Sequence, residues 1–180
     1  MLVFEKDINV PLEELYDFMS DFTTKISDYY IYNLFCQTKN KIVLYSFDNS
    51  SSEIDIKNCP CGLIYHVDYV GDEINIYIMF IATKYKFRNL GYASIFIEEF
   101  INFIKNEFTN NKSNNETNYS NEINYNKINK VNIVLDSLTE AVTFYEHIGF
   151  KLTKTDKYNK KFHITKDIKY EHFIMVYELL

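Results

Sequence analysis

The sequence predicts a mixed α/β fold, a single sheet sandwiched between helices, and three observations carry that prediction. The stretch Glu73–Thr83 is apolar at both alternating sets of positions, Ile74, Ile76, Ile78 and Phe80 against Tyr77, Met79 and Ile81. That pattern belongs to a strand buried on both faces, central in its sheet. An amphipathic helix follows at residues 91 to about 108, with Phe96, Phe100, Phe103 and Ile104 on one broad stripe. Around this pair, strand-like and helical stretches run in the order β-α-α-β-β-β-α-β-α-β-β.

Each element has its own signal. Residues 1–5 alternate weakly and read as a first strand. Pro11 suits the first turn of a helix, since its fixed φ and missing N–H cost nothing there. Leu12, Leu15, Tyr16, Met19 and Phe22 then recur at helical spacing, giving a helix over residues 11–22 and a second over 27–35. Residues 41–47 read as a strand and 49–52 as a turn; 54–56 extend the strand or belong to the loop. Residues 62–70 and Glu73–Thr83 form two strands linked at Gly71-Asp72.

Residues 84–89 make a polar loop ahead of the long helix. Residues 109–130 are asparagine-rich with almost no core-forming side chains, and are expected to be a disordered insertion. A short strand returns at 131–136. Ser137 is expected to cap the next helix, with Glu140 completing a capping box and Gly149 as the C-terminal stop. Residues 150–155 and 173–179 close the chain as strands. No internal repeat is present, and residues 1–180 are expected to form one domain.

Composition narrows the function. A chain of 180 residues buries a core without metal or disulfide support. Its net charge of −6 argues against a nucleic-acid or membrane-surface binder, which needs a basic face. No apolar run approaches the ~20 residues that span a bilayer, and residues 1–10 are charged and lack an apolar signal core. A soluble, cytoplasmic protein is expected. Cys59-Pro60-Cys61 is too tightly spaced for an ordinary zinc pair and no second Cys/His pair lies nearby, so no metal site is expected.

The chemistry-bearing stretch is the loop that opens the long helix, Arg88-Asn89-Leu90-Gly91-Tyr92-Ala93-Ser94. A glycine and a small alanine let a ligand approach the backbone, and the first-turn N–H groups have no intrahelical partner. The stretch reads as an anion cradle, with Arg88 either pairing with phosphate or shaping the loop. R-x-x-G-x-A alone is a weak pattern. Arg88, however, is the one arginine among 19 basic residues. The chain's alanines, Ala82, Ala93 and Ala141, also fall in the stretches that matter here.

The run from Ile81-Ala82-Thr83 through Arg88-Asn89-Leu90-Gly91-Tyr92-Ala93 resembles the pyrophosphate signature of the GNAT acetyltransferases, [R/Q]-x-x-G-x-[G/A] after a central strand. Further on, Ala141-Val142-Thr143-Phe144-Tyr145-Glu146-His147-Ile148-Gly149-Phe150 resembles that superfamily's A-x-x-F-Y-E-x-x-G-F. The match covers about residues 73 to 155. It implies a mostly antiparallel central sheet with helices on both faces, and an acyl-CoA-dependent N-acetyltransferase. The implied partners are acetyl-CoA and a primary-amine acceptor, small molecule or protein, with direct attack in a ternary complex.

The resemblance also implies roles. Backbone N–H groups from Leu90 to Ser94 would hold the CoA pyrophosphate, and the backbone of Ile81, Ala82 and Thr83 would pair with pantetheine. Tyr145 would protonate the departing thiolate. A phenol near pKa ~10 facing a thiol near ~8.5 leaves a gap of roughly 2 kcal/mol.

Two family features depart. Leu138 stands where many members carry a cofactor-contacting Asn, and Tyr77 stands where some carry a basic Glu. Glu73, Asp72 and His66 are alternative bases, directly or through water. Neutralising a lysine at pH 7 costs roughly 4.6 kcal/mol, an α-amine about 1.4. A non-catalytic acyl-CoA-binding module is the competing reading.

Overall fold

The computed structural model describes residues 1–23, 25–47, 54–109, 128–154, 156–162 and 171–180. In chain order the elements are β1 (Leu2–Phe4), α1 (Leu12–Ser20), α2 (Asp28–Phe35), β2 (Lys41–Tyr45), β3 (Cys61–Val70), β4 (Glu73–Thr83), α3 (Tyr92–Thr109), β5 (Lys130–Leu138), α4 (Val142–Ile148), β6 (Lys151–Leu152) and β7 (His172–Glu178). Their order is the one the sequence predicts. The strands form one seven-stranded sheet ordered β1-β2-β3-β4-β5-β7-β6. β4 lies at its centre and is buried on both faces, as its two apolar sets require.

One face carries α3 and α4. Ile74, Ile76 and Ile78 of β4 meet Phe96, Phe100 and Ile104 of α3, together with Tyr145 and Phe150. The opposite face carries α1 and α2, whose Leu15, Met19, Ile31 and Leu34 pack on Leu44, Ile64 and Phe80. Along that same face, Tyr158 and Phe162 cover Tyr77, Val134 and Val176. Ion pairs Lys157–Glu73 and Lys161–Asp68 fasten this segment to the sheet.

All strand pairs are antiparallel except β4–β5, which is parallel and runs from Glu73↔Lys130 to Ile78↔Leu135. Beyond that point the two strands part. β4 continues to Thr83 beside β3, while β5 continues to Leu138 beside β7.

β4 also breaks its alternation. Ile64 pairs with Phe80 but Tyr65 pairs with Ile78, so Met79 is an extra residue, a β-bulge. Phe80 therefore joins the α1/α2 face and Ile81 the α3 face, the reverse of what uninterrupted alternation predicts. Because both faces of β4 are apolar, the sequence carries no mark of this switch.

Other expectations need correction. Ser137 does not cap a helix: it remains in β5, paired with Phe173, and its hydroxyl donates to the Leu138 carbonyl. A 3₁₀ turn at Thr139–Ala141 intervenes before α4, and Glu140 pairs with Lys25 instead. The strand outcompetes the cap because β7 supplies ladder partners out to Leu138.

The asparagine-rich stretch ends sooner than expected. Ile128 is buried in the core, Asn129 bonds Asp72 through both backbone and side chain, and Lys130 begins β5. Residues 110–127 lie outside the described residues, as does the turn expected at 49–52. Ile56 opens a 3₁₀ turn rather than extending a strand, Pro11 sits just before α1, and the strand expected over 150–155 is confined to Lys151–Leu152.

Candidate functional site

The parting of β4 from β5 leaves a fork whose arms are Met79–Thr83 on one side, numbered 79–83, and residues 136–138 on the other. On the β4 arm, the backbone groups of Ile81, Ala82 and Thr83 that point toward β5 have no strand to pair with. Such edge groups are a ready template for an extended, amide-bearing ligand. The β4 arm leads directly into the loop before α3.

That loop has an unusual backbone. Asn89 (φ 61°) and Gly91 (φ 82°) both adopt left-handed conformations, flanking the exposed Leu90. Successive N–H groups in such a turn converge on a concavity that suits an anion. α3 begins at Tyr92, so Ala93 and Ser94 lie in a first turn whose N–H groups have no intrahelical partner. A Cβ built on Gly91 would meet nothing within 4 Å, so the space over the turn is open.

Arg88 is tied to the protein's own backbone. Its Nε donates to the Thr83 carbonyl at 3.1 Å, and its terminal nitrogen to the Phe22 carbonyl at 2.9 Å. The guanidinium thus braces the loop against β4 and the end of α1, shaping the cradle.

The bulge brings in a residue that sequence reasoning missed. The carbonyl of Met79 accepts a hydrogen bond from the Tyr30 hydroxyl of α2 at 2.8 Å. Tyr30 is held well above the ordinary phenol range, first by burial and then by the charge of Asp136. Asp136 therefore lies close to Tyr30, on the first residue of the β5 arm.

Asp136 faces His172, the first residue of β7, with Nδ1 3.3 Å from the carboxylate. Asp136 shares a face with Val134, and His172 with Ile174 and Val176, so the pair stands on the α1/α2 side of the sheet. Both ring nitrogens of His172 are shut off from solvent, and neither is aligned for a hydrogen bond. No local pattern marks this pair, since 36 residues and a strand crossing separate its members.

Tyr145 lies on the other face of the sheet, in the core with α3 and α4. It is the buried residue of α4, 8% exposed, with its ring against Phe144 and Phe150. Gly149 (φ 111°) ends the helix by turning left-handed, and its N–H bonds the Tyr145 and Glu146 carbonyls. Burial pushes the Tyr145 phenol well above its usual range.

Of the bases suggested by sequence, Glu73 and Asp72 sit away from the fork, while His66 stands opposite Tyr77, one residue before the last β4–β5 pair. Glu73 is paired with Lys157 at the start of β4, about 20 Å along the strand from the fork at ~3.3 Å per residue. Asp72 accepts from Asn129 at the hairpin turn. His66 on β3 lies 3.0 Å from Asp68. Cys59 and Cys61 are buried free thiols, both pushed up to about 11 by burial. Among the described residues no three His, Cys, Asp or Glu side chains gather in a metal-binding group, and no helix is long and apolar enough to cross a membrane.

No protein-family model and no curated protein sequence matches the chain. Solved structures do. The chain is similar to Tetrahymena Gcn5, with a TM-score of 0.62 at 11% identity, covering 99% of this chain and 94% of that one. It is similar to the ribosomal-protein-S18-alanine N-acetyltransferase of Escherichia coli, with a TM-score of 0.58 at 14% identity over 99% and 94% of the two chains. It is also similar to Arabidopsis thaliana Naa50 in complex with the bisubstrate analogue CoA-Ac-MVNAL, with a TM-score of 0.54 at 16% identity over 98% and 97%. At such identities the likeness is one of architecture. A mixed, mostly antiparallel sheet with helices on both faces gives the chain the GNAT fold.

Proposed function

We propose that this protein is an acetyl-CoA-dependent N-acetyltransferase that acetylates a primary amine by direct attack within a ternary complex. One observation carries the reading. The β4–β5 fork opens beyond Ile78 and Leu135 and leads, through a 3₁₀ turn at Tyr85–Phe87, to the left-handed turn at Asn89 and Gly91 and the first turn of α3. An extended amide-bearing arm ending in phosphates fits that succession of unpaired strand edge and N–H-lined cradle. Acetyl-CoA supplies the acyl group activated as a thioester.

The chain's own residues do the rest. N–H groups of Leu90 to Ser94 receive the pyrophosphate, with Arg88 keeping the loop in shape. The edge of Ile81 to Thr83 orients pantetheine. Tyr145 donates a proton to the departing sulfur. Burial raises the cost of that donation, but the same dry surroundings raise a thiol too. Burial disfavours a thiolate as it does a phenolate, so the departing sulfur's demand for a proton rises as well. We further propose that the protein acts in the cytoplasm, with neither nucleic acid nor membrane as partner.

Calorimetric titration with acetyl-CoA tests the reading, repeated with Gly91→Glu. Binding that the carboxylate abolishes is the expected result, followed by thiol release in a panel of polyamines, lysine peptides and peptides with free α-amines. Absence of binding to well-folded protein sinks the proposal. Binding without turnover across the panel would favour the non-catalytic acyl-CoA module.

A further inference from the structure

The acetyl-transfer reading leaves the incoming amine charged, and on β7 beside the β5 arm stands an imidazole with no aligned hydrogen-bond partner. We propose that His172 is the general base of this site, a catalytic residue, with Asp136 the residue that positions it. The inference rests on the acetyltransferase reading and goes beyond it by assigning a role to a pair on the side of the sheet opposite Tyr145.

Position argues first. Asp136 is the first residue of β5 past the last β4 pairing, at Leu135, so it stands at the apex of the fork. His172 lies opposite Leu138 on the adjoining strand, and its Nδ1 is 3.3 Å from the Asp136 carboxylate. The carboxylate's influence reaches Tyr30, whose hydroxyl holds the carbonyl of Met79 across the fork. Asp136 therefore borders the point where an arm lying along Thr83 to Ile81 comes to its end, with His172 beside it on the next strand.

Bonding argues second. A half-buried imidazole whose two nitrogens are both closed off from solvent without an aligned partner costs about 1–3 kcal/mol and calls for an explanation. With Nδ1–H turned to Asp136, Nε2 presents a lone pair, the tautomer a base requires. A base oriented by a third group is a recurring arrangement for activating a nucleophile. Catalytic hydrogen bonds are often loose until substrate arrives, which fits a 3.3 Å contact outside alignment. Glu73 and Asp72 are held in structural bonds at the start of β4, and the carboxylate beside His66 is shared with Lys161.

The proton balance is simple. Nε2 takes one proton from the ammonium, forming an imidazolium beside the Asp136 carboxylate. The freed nitrogen forms the C–N bond as the C–S bond breaks, its electron pair staying on sulfur. Tyr145 protonates that sulfur and regains a proton through solvent from the new amide nitrogen. His172 returns its own proton to solvent, so each turnover releases one.

Bromoacetyl-CoA reads this arrangement without knowledge of the acceptor. Its electrophilic carbon adjoins the carbonyl, and a lone pair aimed at the acyl group displaces bromide. The probe is incubated with protein carrying Cys36→Ser, which removes the exposed thiol, and the adduct is mapped by peptide mass spectrometry. The expected result is an adduct on His172 that excess CoA prevents, that His172→Gln abolishes, and that Asp136→Asn slows without relocating. A CoA-preventable adduct on another residue, or none despite calorimetric binding of acetyl-CoA, overturns the base assignment and leaves the acetyltransferase reading intact. Failure of acetyl-CoA to bind overturns both.

Discussion

Tyr30 of α2 donates its phenolic hydrogen to the carbonyl of Met79, 2.8 Å away, and so satisfies the group that the β4 bulge pushes out of the ladder. A bulge without that partner leaves a half-buried carbonyl unsatisfied. Tyr30→Phe keeps the ring and removes the bond. It is expected to destabilise by about 1–3 kcal/mol, a fall in Tm of roughly 2–4 °C for each kcal/mol. An unchanged melting curve would show that the bulge holds its shape unaided.

Tyr145→Phe removes one buried hydroxyl and nothing else from the packing against Phe144 and Phe150. If the phenol is the proton donor, kcat falls by about 10²–10⁴-fold, while calorimetric affinity for acetyl-CoA and thermal stability hold. Unchanged turnover would remove Tyr145 from the mechanism.

Gly149 and Gly91 both have positive φ, but their surroundings differ. A Cβ at Gly149 would stand 3.1 Å from the Tyr177 ring, whereas one at Gly91 meets nothing within 4 Å. The left-handed penalty is about 1–2 kcal/mol for either alanine. Denaturant midpoints should therefore show Gly149→Ala to be the more destabilising. The opposite order would mean that Tyr177 moves aside at no cost.

Alkaline pH should unfold the protein earlier than its net charge suggests. Cys59 and Cys61 are pushed up to about 11 by burial, from 9.0 in the unfolded chain. Burial likewise raises Tyr65 and Tyr145. Groups whose acidity is suppressed by folding contribute stability that is complete below their unfolded pKa and is lost as pH rises above it. For the two thiols the window runs from about 9 to 11, roughly 2–3 kcal/mol each. Tm measured from pH 8 to 11 should fall, and fall less in Cys61→Ala than in the parent once their pH 8 values are aligned. Parallel curves would contradict the burial of that thiol.

Much of the fold was legible because its signals are local. β4 announces its central place by being apolar on both sets of positions, Gly149 stops α4, and Ser27 caps α2 with its side chain accepting from the Tyr30 N–H. The loop and helix start at Arg88 to Ser94 were legible for the same reason, being one contiguous stretch. What escaped depends on the partner strand. The bulge at Met79 exists only in the register with β3, and Ser137 stays in β5 only because β7 pairs with it. Asp136 and His172 meet through the sheet order, which no spacing rule reports. Ile128 was hidden by its asparagine-rich neighbours, although its side chain completes the core beneath β5.

The single parallel pairing among the described strands has a consequence for how the chain assembles. β1 to β4 lie side by side in sequence order, and β5 to β7 form their own group, whose partners are at most 46 residues apart (Asn132↔Glu178) against 57 across the seam (Glu73↔Lys130). The seam between β4 and β5 closes only after the chain has traversed α3 and residues 110–127. Contacts of that separation carry the larger loop-closure entropy and tend to form late. The fork is the open end of this seam, so the groove is completed by the last strand docking, and a ligand spanning both arms acts as a clasp on the two halves. Amide exchange at Ile76 and Ile133, which face each other across the seam, should slow more on ligand binding than exchange within the β2–β3 hairpin.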